Sequence, residues 1–220
     1  AVEDKGAGLD ITDVEKENGF VLFARHPQEL VYMYTKPSTF EKANSIKIFT
    51  CPGEYEPVTF SLYGLKDGSV VINVNELVSK SGSKIATENI DVRVVKNLRT
   101  ETYKDKKEYN YRPYLLKKLD KVIVTKDRSS QVWITVYIPK DTPDGVYKGD
   151  IELSGLEKAS LNLTIKVLPF KLDPIKDIPI FMYTVERATA PKKLCWIDNV
   201  EHGMTSMTMG SYAPNPEEMK

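Results

Sequence analysis

Alternation of apolar and polar residues runs through most of this chain with a period of two. In Gln131 to Ile138, Val132, Ile134, Val136 and Ile138 share one face and Trp133, Thr135 and Tyr137 the other. In Leu161 to Val167, Leu161, Leu163, Ile165 and Val167 alternate with Asn162, Thr164 and Lys166. Side chains that alternate in this way belong to strands with one buried and one open face. The same reading predicts strands over 20–24, 31–35, 45–50, 58–64, 70–74, 92–96, 122–125 and 146–153. About ten short strands with no helical period between them define a mainly β protein, an antiparallel β-sandwich over residues 19–169. Turn chemistry separates the strands: Cys51-Pro52-Gly53, Asp67-Gly68, Ser81-Gly82 and Pro143-Asp144-Gly145 place glycine where a positive φ is expected. Glu76-Leu77-Val78 is expected to turn across one end of the sandwich.

The pattern changes at both ends. Residues 1–18 are acidic and poor in apolar side chains, which predicts a mobile or edge-hugging tail. Residues 170–179 hold Pro174 and Pro179 among alternating Lys and Asp and read as a linker. Beyond it, 180–185 reads as a strand, 191–202 as a helix carrying Leu194, Ile197 and Val200 at helical spacing, Gly203 as its stop, and 204–209 as a second strand. Strand, helix and strand form a βαβ unit. One such unit leaves its sheet edges uncovered, so 180–220 is expected to be the start of a larger α/β domain and to favour association through exposed apolar surface. The weaker alternative is a decoration packed on the sandwich.

Composition narrows the function classes. The chain has 220 residues, 41% of them hydrophobic, and its 31 basic and 31 acidic side chains cancel. A neutral chain has no global field that calls for nucleic acid or an anionic membrane, and no apolar run is long enough for a membrane helix. Cys51 and Cys195 are too far apart in sequence to suggest a disulfide framework or a zinc site, and they read as free thiols. No metal or cofactor motif is present in the sequence. The start AVEDKGAGLD lacks the basic and apolar regions of a signal peptide. A chain beginning at Ala reads as processed or trimmed, and export to the periplasm, cell surface or medium is compatible with both.

Several blocks, in order, carry a resemblance: PGEYEPVTFSLYGL at 52–65, NIDVRVVKN at 89–97, YRPYLLKKLD at 111–120 and QVWITVYIPKDTPDGVYKGDIEL at 131–153. Together they resemble the N-terminal β-sandwich of bacterial glycoside hydrolases of family 123 and related groups. EHGMTSMTMGSYAPNPEEM at 201–219 is similar to the first βα turns of the barrel that follows that sandwich. The resemblance implies a carbohydrate-active parent protein with a glycan as its partner. It also implies a catalytic site formed by neighbouring acidic residues on later barrel strands, acting with the substrate's acetamido group. No residue of this chain corresponds to those acids, so the expected role is noncatalytic, supporting the barrel and its glycan cleft. An independent carbohydrate-binding or adhesion module is the alternative.

Candidate chemistry is sparse. Glu54 and Glu56 bracket Tyr55 and could face one side together, but they fit better as decoration at the entry of a core strand. Residues 96–128 carry eleven Lys or Arg against five Asp or Glu, with Tyr103, Tyr109, Tyr111 and Tyr114 interleaved. Such a mixture can bind single-stranded nucleic acid or an anionic polysaccharide, but the neutral chain favours a solvated loop. The tyrosines could instead stack on sugar rings, and Trp133 could be a sugar platform or, more ordinarily, packing. His26 and His202 lie in separate segments and suggest no triad or metal cluster. Asn162-Leu163-Thr164 fits a glycosylation sequon but lies within a strand. In a barrel, Asp198, Glu201 and His202 would face outward. Glu186 and Arg187 after the first strand, and Ser211 and Tyr212 after the second, would face the cleft. The candidate substrate-binding set is therefore Trp133, Tyr109, Tyr111, Tyr114, Glu186 and Arg187.

Overall fold

The computed structural model describes residues 8–103, 108–172 and 178–180, together with 183–184, 197, 199–200, 203–205 and 208–209. It separates into two compact units, 1–171 and 172–220. In chain order the first holds helix α1 (Asp13–Asn18) and strands β1 (Phe20–Phe23), β2 (Ser45–Thr50), β3 (Tyr55–Gly64) and β4 (Gly68–Val74). It continues with β5 (Leu77–Ser79), β6 (Lys84–Ile85), β7 (Ile90–Tyr103) and β8 (Glu108–Lys117), then β9 (Val122–Val124), β10 (Ser129–Tyr137), β11 (Gly145–Ser154) and β12 (Ala159–Val167). One sheet has the order β1-β3-β10-β7-β8. The other runs β2-β12-β11-β4-β9, with β5 beside β11 and β6 beside β5.

The core lies between the two sheets and is the one the alternation predicts. Val132, Ile134, Val136 and Ile138 meet Leu161, Leu163, Ile165 and Val167, all buried, with Phe60, Leu62, Tyr147 and Ile151 between them. Sheet-on-sheet packing of this kind buries one face of each strand, and the apolar area removed from water is its main stabilising term. Tyr147 is enclosed because its hydroxyl donates to the Pro143 carbonyl at 2.9 Å.

Several expectations need correction. The sandwich is mixed: β2 pairs in parallel with β12, Ser45 opposite Asn162 and Thr50 opposite Val167. Period-two patterning reports which face a residue takes and says nothing about strand direction. Residues 31–35 form a loop with a turn, Thr35 N–H donating to the Tyr32 carbonyl. Val31 and Thr35 are buried there without pairing. Glu76-Leu77-Val78 is largely the start of β5, whose Val78 and Ser79 pair with Lys148 and Tyr147. The basic stretch at 96–128 is mostly the long β7–β8 hairpin. Register shifts at Lys96/Asn97 and Glu101/Tyr103 interrupt its period, and side chains exposed on both faces hide its alternation. Gly53, Gly82 and Gly145 do take positive φ, but Gly68 does not. Its missing Cβ instead makes room for Leu156, whose Cδ2 would lie 2.3 Å away.

Leu9, Ile11 and Val31, from the segments on either side of β1, cover part of the outer side of the first sheet. Helix α1 is closed by a capping box, Glu15 N–H to Thr12 Oγ1 and Thr12 N–H to Glu15 Oε2, and ends at Gly19 in the left-handed region. Leu9 and Ile11 before it pack on Val21, Phe23, Val31 and Tyr63. The acidic segment hugs the sandwich through these two apolar residues and through Glu15, which pairs with Lys42 at 2.7 Å.

Glu15 and Glu41 act alike. Burial tends to raise each carboxyl, but hydrogen bonds from Lys42 and Thr12 to Glu15, and from Arg25 and Ser38 to Glu41, outweigh it. Both lie below the ordinary 4.5. A depressed folded pKa contributes stability that is complete above the unfolded value and disappears as pH falls through the folded one. Urea unfolding between pH 6 and pH 3 should therefore show a stability loss that Glu41→Gln reduces. An unchanged pH slope in that variant would contradict the assignment.

In the second unit, β13 (Tyr183–Thr184) pairs in parallel with β14 (Thr208–Met209). Ile197, Asn199 and Val200 are helical, and Gly203, with φ +83°, donates its N–H to the Val200 carbonyl.

Candidate functional site

The outer face of the first sheet carries an unusual stripe for a solvent side. Thr59, Ser61, Ser129 and Gln131 are all buried there. Three of their contacts fasten a covering loop: Thr59 Oγ1 donates to the Arg25 carbonyl at 2.9 Å, Ser129 Oγ to the Thr35 carbonyl at 2.7 Å, and Ser129 N–H to the Met33 carbonyl at 2.9 Å. The Arg25–Glu41 ion pair secures the loop's near end. A turn at 26–29, with Glu29 N–H on the His26 carbonyl at 2.8 Å, then presents Pro27, Glu29 and Leu30 along one rim.

The opposite rim comes from β8. Lys96 faces Leu115 and Asn97 faces Pro113, so Tyr114 has no partner across the ladder and bulges outward, 69% exposed. Between the rims, Trp133, Gln131 and Val95 floor a groove of about 180 Å³, with Pro113, Tyr114, Leu115 and Leu116 along its side. Trp133 stands opposite Arg93 in the β10–β7 ladder, whose pairing ends at Val132–Val94. The groove opens where the hairpin continues beyond that point. Its only charged lining residue is Glu29, although the hairpin as a whole is basic.

The groove joins two of the predicted residues, Trp133 and Tyr114. Tyr109 and Tyr111 sit farther along the hairpin, about half exposed, with the Arg99 guanidinium 4.3 Å from the Tyr109 ring centre. Glu186 and Arg187 lie outside the described residues, as do Ser211, Tyr212, Asp198, Glu201, His202 and Cys195. Gln131, Glu29 and Leu30 were not anticipated. Gln131 could have been suspected from its place two residues before Trp133 on the open face. The 27–30 turn has no sequence signal that would bring it to this sheet.

The other candidates are structural. Glu54 Oε2 accepts from Cys51 N–H at 2.7 Å and from Thr50 Oγ1 at 3.1 Å, closing the Pro52-Gly53 turn. Burial raises the Glu56 carboxyl, the Glu54 charge adds to this, and His26 opposes it. Cys51 is a buried free thiol raised chiefly by burial and then by Glu54 and Glu56, the reverse of an activated nucleophile. Among the described residues no group of His, Cys, Asp or Glu could hold a metal ion. No helix among them is long and apolar enough to cross a membrane. Asn162 of the sequon lies within β12 and donates to the Asn44 carbonyl at 3.3 Å.

The class defined here is a two-layer, mixed β-sandwich with a shallow aromatic groove on one outer face. A family 123 glycoside hydrolase from Clostridium perfringens, studied for glycolipid glycan hydrolysis, shares this fold: TM-score 0.58, 14% identity, covering 69% of this chain and 27% of that one. Residues 57–155 match the glycoside hydrolase 123 N-terminal domain, and this part of the chain belongs to that domain family. The chain thus spans about a quarter of the Clostridium enzyme's length. Weaker likenesses are to CfaE, the adhesive subunit of CFA/I fimbria of enterotoxigenic Escherichia coli (TM-score 0.38, 11% identity, 70% and 50% coverage), and to a PapD-like domain of human CEP192 (0.35, 13%, 76% and 99%). No curated protein sequence matches the chain.

Proposed function

We propose that this chain is the noncatalytic N-terminal portion of a glycoside hydrolase, bracing a catalytic (β/α)8 domain whose opening βα units lie in 180–220. The observation that carries this reading is the groove's single carboxylate. Hydrolysis with two carboxyls needs them on either side of the glycosidic bond, roughly 5–10 Å apart. Among the described residues Glu29 has no second carboxyl beside it in the groove. Glu54 is committed to the backbone turn before β3.

The parallel β13–β14 pair, with helical residues between its strands, supports a βα start. Ile178 and Val200, exposed by 63% and 64%, suit an element completed by further structure or by association. The partner of the whole protein would be a glycan met outside the cytoplasm. The purified 220-residue chain is expected to release no aryl group from aryl glycosides, aryl 2-acetamido glycosides included. Turnover that disappears in Glu29→Gln would overturn the noncatalytic assignment.

A further inference from the structure

We propose that the groove between the 26–29 turn and the β8 bulge binds one neutral hexopyranose unit of a glycan, stacked on Trp133 and oriented by the Gln131 carboxamide. This deepens the preceding reading and rests on it for the choice of a glycan.

Gln131 supplies the observation that points to a ligand. It is 6% exposed and lines the groove, yet its carboxamide has no hydrogen-bond partner among the described residues. A carboxamide has two N–H donors and an acceptor oxygen, and here these atoms are reached from the groove rather than sealed off, so water or a ligand can serve them. The neighbouring buried polar residues Thr59 and Ser129 each use their hydroxyl to hold the covering loop. Gln131 is the one of these three that holds nothing. A ligand able both to donate and to accept satisfies it, and a sugar hydroxyl does both.

The walls select the rest of the ligand. The partly buried Trp133 ring and the outward Tyr114 ring give apolar faces with polar edges, matching the C–H face and hydroxyl rim of a pyranose. The groove is small, about 180 Å³ and open on one side, the scale of a single ring rather than a folded segment.

Charge then excludes acidic sugars. Glu29 is the only charged lining group, and Arg93, across from Trp133, is tied to Asp91 at 2.5 Å. A uronate would face the Glu29 carboxylate with no cation among the groove's lining residues, whereas a neutral sugar can donate a hydroxyl hydrogen to Glu29. A proline-rich peptide could also lie on Trp133. Its backbone lacks an N–H at each proline, so it serves the carboxamide oxygen poorly.

The test is an NMR titration of the ¹⁵N-labelled 220-residue chain. The probes are cellotetraose, maltotetraose, a β-galactotetraose, chitotetraose, tetragalacturonate and a proline-rich decapeptide. At least one neutral tetrasaccharide should shift the Trp133 indole N–H and the Gln131 side-chain amide saturably, while the galacturonate and the peptide leave them in place. Trp133→Ala should weaken that binding at least tenfold and Gln131→Leu at least fivefold, with the amide signals of Val132 and Ile134 still dispersed. If Trp133→Ala does not fold, Gln131→Leu and Glu29→Lys decide, the latter being expected to admit tetragalacturonate. The proposal is overturned if no neutral probe shifts these signals, if the peptide or galacturonate shifts them as strongly, or if the substitutions that fold leave binding unchanged. The aryl glycoside assay reads turnover and the titration reads binding, so a silent titration removes the sugar site and leaves the domain assignment standing.

Discussion

Phe60→Ala is expected to lower the unfolding free energy by about 3–5 kcal/mol, the range for truncating a fully buried aromatic ring. Phe60 is 1% exposed on the inner face of β3, which is hydrogen-bonded on both sides, to β1 and to β10, so neither flank can move in to fill the space. For a domain of this size each kcal/mol corresponds to roughly 2–4 °C in melting temperature. The melting curve should therefore shift down by about 10 °C. Phe49→Ala is the control: it removes the same ring from a site 69% exposed on β2 and should change stability by less than about 0.5 kcal/mol. Similar losses in the two variants would show that the enclosed side of β3 is not the core.

The second large effect is expected at Gly64, and it arises from crowding. A Cβ there would stand 2.2 Å from the Thr125 carbonyl oxygen and 2.7 Å from its carbon. These are backbone atoms with no rotamer to escape into. The surrounding turn is tied to the same residue, since Gly64 N–H donates to the Arg128 carbonyl and Asp127 N–H to the Gly64 carbonyl, both at 2.9 Å. Gly64→Ala must separate these strands, at about 1–3 kcal/mol or somewhat more. Gly82→Ala tests the alternative source of strain, because Gly82 has φ +86° but open space around it. Its cost should stay near the ~1–2 kcal/mol of a left-handed alanine. Thermal unfolding of the two proteins should rank Gly64→Ala as the less stable, and the opposite order would contradict the close approach.

The inner faces were legible in sequence because burial on one side imposes alternation. Val132 to Ile138 and Leu161 to Val167 could be placed on the core without knowing any partner strand. Strand direction and the β7–β8 hairpin were harder to see. Parallel β2 carries the same period as an antiparallel strand, and in β8 the bulge at Tyr114 displaces the pattern within a strand exposed on both sides. The site was half legible. Trp133 and Tyr114 are conspicuous as aromatic residues on open faces, but their proximity depends on where β7 and β8 leave the sheet. The 27–30 rim depends on hydrogen bonds from Thr59 and Ser129 to a loop distant in sequence.

The pairing of β2 with β12 also constrains the order of assembly. Ser45 to Thr50 find their partners only at Asn162 to Val167, so this ladder closes after nearly the whole sandwich has been synthesised. Until then β2 is a strand without a neighbour, carrying Ile46 and Ile48 for the core and an outward Phe49. Polypeptides arrested before Ala159 should therefore self-associate through this segment, and the last strand of the sandwich to emerge from the ribosome acts as the cover that ends that exposure.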